Sequence, residues 1–248
     1  MKLIGQSESY SEILERVFVT TLAVGFFCTI LLANADSTFH DLLETISTKV
    51  DFGPLKDIKV LYVVVPLVLA GISRLILLHD KISNILGLRK RFDTNHILFP
   101  MADQSGYTLT DAFKQRLTAN RKEAMSDIFY RYASFINPVI DRQLVRTAAD
   151  NWGWLWSAVE ASFVCLVTLS ILTLLEIWSY AMMLGGSICI LIGFIFFQWF
   201  QCRKGAVRQV RVIMEDSDRK QAIHSYFTKF AASVTLDKPE SPGPLSKR

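Results

Sequence analysis

Long apolar runs separated by short charged stretches set the pattern of this chain. Four runs approach or exceed the roughly 20 residues that a helix rising about 1.5 Å per residue needs to cross a bilayer core. They extend from Arg16 to Ala33, Val60 to Leu78, Trp154 to Leu175 and Tyr180 to Phe200, and each predicts a transmembrane helix. Glu8, Glu12 and Glu15 precede the first run, the opposite of the basic start of a signal peptide, so that run reads as a retained anchor.

Helical spacing continues between the runs. Asp80 to Arg91 places Ile82, Ile85 and Leu86 on one side, and a break is expected at Phe99-Pro100 and again at Gln104 to Gly106. Thr108 to Arg121 predicts a helix with Asp111 in its first turn, and Ala124 to Phe135 predicts another, ended by Asn137-Pro138. Behind the fourth run, Ser217 is the expected cap of a helix through about Ala232, and Pro239, Pro242 and Pro244 mark an expected disordered tail. The fold class is therefore an all-α membrane protein, with four transmembrane helices as two hairpins and a helical cytoplasmic domain between spans two and three. Its expected divisions are 1–16, 17–78, 79–153, 154–200, 201–235 and 236–248.

Composition agrees with that class. Hydrophobic residues make up 51% of the 248 and charged ones 20%, with a mean hydropathy of +0.30; an ordinary soluble domain is more polar. Charge then supplies direction, because Lys and Arg accumulate in cytoplasmic loops. The segment 79–153 carries eleven Lys or Arg and the tail after Phe200 ten, whereas the link between runs one and two has five acids and few cations, Lys49 and Lys56 among them. The expected location is the inner membrane, multi-pass, with both termini cytoplasmic.

Ionisable and small residues within the runs are the candidate functional positions. Charges are expensive in lipid and default to paired or functional roles. Glu160 and Arg74 fall at comparable depth on spans running in opposite directions, which predicts either a charge pair between the hairpins or a pore-lining acid. Gly25, Gly185 and Gly193 lie on small-residue stripes suited to close helix packing, within one chain or between copies. Pro66 and Gly71 predict a hinge in the second span. Arg89, Lys90 and Arg91 are a candidate contact for an anion or a partner, with the stop-transfer role as the plainer reading. Trp152, Trp154 and Trp156 are read as an interfacial aromatic belt.

Catalytic motifs are missing. The sequence has no GxxxxGK[ST], GxSxG, HExxH or GxGxxG, and His40, His79, His96 and His224 are scattered over separate segments. Cys28, Cys165 and Cys189 sit within apolar runs and Cys202 just beyond one, with no metal-ligand spacing. The expectation is no enzyme, no cofactor and no metal, and nothing points to nucleic acid.

The layout, with His79 to Gly153 between two hairpins and segments such as Lys81-Ile82-Ser83-Asn84 and Arg89-Lys90-Arg91-Phe92-Asp93, resembles the compact four-span membrane effectors of bacterial anti-phage systems. That resemblance implies a channel that depolarises the inner membrane under the control of a nucleotide or a regulatory protein. Two functions follow as expectations. One is an oligomeric pore or ion-channel effector; the other is a non-conducting membrane scaffold that anchors a cytoplasmic enzyme or sensor. The lipid bilayer and further copies of the chain are the expected partners.

Overall fold

The computed structural model describes residues 9–46 and 60–236, and all regular structure among them is helical. In chain order the elements are α1 (Tyr10–Ala35), α2 (Ser37–Ile46), α3 (Val60–Leu75), α4 (Leu78–Leu86) and α5 (Leu88–Phe92), then the π-helix π1 (Asp93–Leu98). There follow α6 (Phe99–Gln104), α7 (Asp111–Ala119), α8 (Arg121–Ala124), the π-helix π2 (Met125–Tyr130), α9 (Arg142–Leu174), α10 (Trp178–Met214) and α11 (Ser217–Leu236). Lys49, Lys56 and the expected tail beyond Leu236 lie outside the described residues.

Two compact units divide these elements. The first comprises the described residues of 1–86 together with 146–202, and the second those of 87–145 together with 203–248. Both boundaries in the C-terminal half fall inside helices, because α9 and α10 are continuous over 33 and 37 residues.

In the first unit, α1, α9 and α10 are each long and apolar enough to cross a membrane, and α3 with α4 passes the same test as a pair bent by 56°. That makes three spans, or four if the bent pair counts as one. Local chemistry sets the ends. Ser9 caps α1 by accepting the Glu12 N–H at 3.2 Å, and Asp36 ends it while its Oδ1 accepts the Phe39 N–H at 2.7 Å to start α2. Helix α2 lies in the link between the first two apolar runs, where the sequence predicts only a loop. Glu176 turns the chain between α9 and α10 in a left-handed conformation, φ +60°, and the Ile177 N–H returns to the Leu172 carbonyl at 2.9 Å.

Cys28, Leu31 and Leu32 of α1, Cys165 and Leu172 of α9, and Ala181, Leu184 and Ile188 of α10 form one apolar core. On its other flank α1 packs along α3. A Cβ on Gly25 would stand only 3.1 Å from Pro66 Cβ, so glycine lets the two helices approach there. The α3 helix runs through Pro66 and Gly71 without interruption. Its change of direction comes at Ile76 and Leu77, where Leu77 takes φ +49°.

The second unit departs from the expected helices in instructive ways. Helix α4 stops at Leu86 because Gly87, φ +63°, turns the chain before α5. The helical path then continues through Phe99-Pro100, where a break was expected. The preceding turn widens into π1, the Phe99 N–H bonding the Thr94 carbonyl, and Pro100 sits in the first turn of α6 where its missing N–H costs least. The second expected break is found, at Ser105 and Gly106. Thr110 caps α7 by accepting the Phe113 N–H, close to the expected start. Asp216, rather than Ser217, caps α11 through the Arg219 N–H at 2.9 Å. Phe113 of α7 packs against Phe227 and Phe230 of α11, with ring centroids 6.0 and 5.6 Å apart.

Candidate functional site

The polar centre of the first unit is Glu160 of α9, only 2% exposed. Its two carboxylate oxygens take four bonds from three other helices. Oε2 accepts from the Ser73 hydroxyl of α3 at 2.6 Å and from the Thr21 hydroxyl of α1 at 3.0 Å. Oε1 lies 3.1 Å from both the backbone N and the ring Nδ1 of His79 in α4.

The backbone bond explains the local fold. A helix start leaves its first N–H groups without internal acceptors, and a carboxylate there satisfies them and suits the positive end of the helix. When Leu77 breaks the path between α3 and α4, it frees the His79 N–H, and Glu160 supplies the acceptor from a different helix. The left-handed Leu77 costs about 1 kcal/mol or more because a side chain crowds that conformation. The carboxylate therefore ties α1, α3, α4 and α9 together and holds the bend between α3 and α4. Trp156, one turn before Glu160, closes the site against the His79 ring with centroids 6.0 Å apart.

Arg74 does not reach this carboxylate. Its guanidinium lies over the Phe18 ring, 5.7 Å from the centroid, and the residue is exposed. It does line, with Glu160, His79 and Phe18, a cavity of about 10 Å3, which admits one water at most. Of the two neighbours at similar depth, helix rotation points Ser73 inward and Arg74 outward.

A second charged contact in this unit was missed by the sequence reading. Arg16 of α1, which is buried, and Asp150 of α9, which is partly so, form an ion pair, and the Arg16 guanidinium stacks 4.8 Å above the Trp154 ring. A Cβ on the neighbouring Gly153 would meet Ile13 at 3.2 Å, so α1 crosses α9 closely here. The tryptophans expected to form an interfacial belt thus pack inward in part: Trp154 under Arg16, Trp156 buried against His79, and Trp152 stacked on Trp156 at 5.8 Å.

The predicted small-residue positions divide. Gly25 makes the close approach to Pro66, whereas a Cβ on Gly185, Gly193 or Gly71 would meet nothing within 4 Å. The α10 stripe faces open space within this chain.

In the second unit, the Arg89-Lys90-Arg91 triplet also divides. All three are exposed, but Arg89 also bonds the Tyr130 hydroxyl and lies near Asp93. Asp93 opens π1 and pairs with Arg121 at 3.0 Å. Burial pushes its carboxyl up to about 6 even though Arg89 and Arg121 pull it down. Among the described residues no cluster of His, Cys, Asp and Glu is arranged to hold a metal ion.

These helices define a class, the all-helical protein with several membrane-length apolar segments and an acid buried among them. The model of the YmfE protein family matches residues 9–229, and the chain belongs to that family. No curated protein and no solved structure matches it. The family match carries no link to the anti-phage effectors that the layout resembles.

Proposed function

We propose that this chain is a four-span inner-membrane protein acting as a non-conducting scaffold, which presents its basic helical unit in the cytoplasm to a soluble enzyme or sensor. The apolar stretch from Val60 to Leu78, which is α3 and the turn that follows it, serves as the second of four spans arranged as two hairpins. Both termini lie with the cationic segments on the cytoplasmic side.

The observation that carries the reading is the state of Glu160. An acid that served ions in a pore would face water, but both oxygens of this one are occupied by Thr21, Ser73 and His79. The outward faces support the same reading. Val63, Val64, Leu67, Val68 and Ile72 of α3, and Ile190, Phe196, Phe197 and Phe200 of α10, are exposed aliphatic or aromatic residues suited to lipid.

An oligomeric pore is the second reading, favoured by the open stripe of Gly185, Cys189 and Gly193 on α10, along which copies of the chain would approach closely. Planar bilayers separate the two. The scaffold reading expects no current above that of protein-free bilayers and a cytoplasmic protein crosslinked to residues 87–145 in cells. Stepwise conductance from the purified chain overturns it in favour of the pore.

A further inference from the structure

Helix α4 presents three different faces. His79 and Ser83 are buried on one, where His79 meets Glu160. Asp80, Lys81 and Asn84 share a second, polar face, with Lys81 and Asn84 exposed. Leu78, Ile82, Ile85 and Leu86 share the third. That last face is largely uncovered, with Ile85 84% and Leu86 55% exposed and Leu78 and Ile82 half-buried. It continues an apolar surface that begins on α3: Leu69, Ile72, Leu75 and Ile76 are all exposed, Leu75 to 84%.

We propose that α4 is an interfacial helix, lying along the cytoplasmic headgroup boundary with Leu78, Ile82, Ile85 and Leu86 against lipid acyl chains. The proposal rests on the membrane-spanning reading of α1, α9 and α10 and adds a place for α4. Three observations converge on lipid as the occupant. The 56° bend takes α4 away from the direction of α3, toward the membrane plane for an α3 that crosses it steeply. The uncovered apolar face is continuous with the α3 surface that would already meet lipid. The polar face and the bend carry exposed cations, Lys81 and Arg74, whose long side chains reach phosphate while their stems stay in the apolar layer. Aliphatic side chains beside a cationic edge fit an anionic phospholipid surface.

Glu160 has a consequence for this arrangement. Its bond to the His79 N–H fixes the first turn of α4, so the helix is held at a set angle by the buried carboxylate. The membrane-facing side of α4 is thereby set from inside the protein.

The test uses the full chain in vesicles of phosphatidylethanolamine and phosphatidylglycerol, with the four native cysteines replaced by alanine. Nitroxide labels are placed at Ile85→Cys, Asn84→Cys and Ile192→Cys, and their depth is read from relaxation by oxygen and by a water-soluble nickel chelate. The expected result is a shallow lipid position for 85, with nickel access about tenfold below that at 84, and a deep position for 192. Water access at 85 comparable to that at 84, or a depth at 85 matching that at 192, overturns the proposal; the second outcome makes α4 a continuation of the span. Water access at 192 instead sinks the membrane-spanning reading itself. Should the cysteine-free chain fail to fold, Ile85 is replaced by p-benzoylphenylalanine in the otherwise native chain. Photo-adducts with phospholipid support the proposal, and adducts with a second copy or a cytosolic protein overturn it.

Discussion

The Ser73 hydroxyl on α3 stands 2.6 Å from Oε2 of Glu160 on α9, joining two residues that lie 87 positions apart in the chain. The two oxygens of Glu160 have different surroundings. The Oε2 side meets hydroxyls, which can turn from donors to acceptors, whereas Oε1 faces a backbone N–H that can only donate. Glu160→Gln keeps an acceptor for His79 by placing its amide nitrogen beside the hydroxyls, and is expected to cost about 1 kcal/mol. Glu160→Ala leaves the His79 N–H and a cavity behind, and is expected to cost about 3 kcal/mol or more. Hydrogen exchange read by mass spectrometry checks the cause: the alanine variant should release the amides of residues 78–82 well before those of α10, and the glutamine variant should not.

Gly25 and Gly193 are predicted to respond in opposite ways to the same substitution. Leucine at Gly25 drives side-chain atoms into Pro66, already 3.1 Å from the position of a Cβ, and should cost about 2 kcal/mol by separating α1 from α3. Leucine at Gly193 meets open space and should leave the stability of one chain within about 0.5 kcal/mol of the parent. Thermal unfolding in detergent measures both. Light scattering of the Gly193→Leu variant adds the oligomeric state, which falls if copies pack along α10 and stays unchanged if lipid covers it.

The Arg16–Asp150 pair joins a buried guanidinium to a partly buried carboxylate, so removing the acid alone should cost more than removing both charges. Asp150→Ala takes the carboxylate away from the Arg16 guanidinium, itself 4% exposed, and is expected to cost about 2 kcal/mol in a detergent unfolding series. The double variant Arg16→Met with Asp150→Ala removes both charges and should recover most of that loss.

Asp93 gives the second unit a dependence on pH. Its carboxyl is raised from an ordinary 3.8 to about 6, chiefly by burial, so the folded chain holds this proton to a higher pH than the unfolded chain does. The contribution is therefore most favourable below about 4 and is lost as the pH rises through about 6, by no more than about 3 kcal/mol. Exchange protection of residues 93–130, corrected for the intrinsic effect of pH, should decline across that interval. In Asp93→Asn the decline should disappear.

The apolar runs made the membrane-length helices legible, since hydropathy and length are properties of a segment by itself. The partners of Glu160 were not. Arg74 was chosen because it matched Glu160 in depth, but each step along a helix turns the side chain by about 100°, and sequence depth does not reveal which face of α3 meets α9. Ser73 therefore took the place expected of Arg74. His79 was hidden for another reason: its N–H became available only because α3 and α4 part at Leu77, not at Pro66 or Gly71. Arg16 and Asp150 were more accessible to inference, as Arg16 opens one apolar run and Asp150 stands just before another, and both starts were expected on the same side of the membrane. The π-helix before Pro100 left no sequence signal distinct from a break.

The proposed layout crosses the membrane four times, with the cationic segments inside. Alkaline phosphatase fused after Asp51, after Arg91 or after Glu176 in a Gram-negative host tests it most directly. Four crossings in that orientation predict active phosphatase after Asp51 and Glu176, in the two outer links, and inactive phosphatase after Arg91. Activity at Arg91, or its absence at Asp51, would contradict the layout.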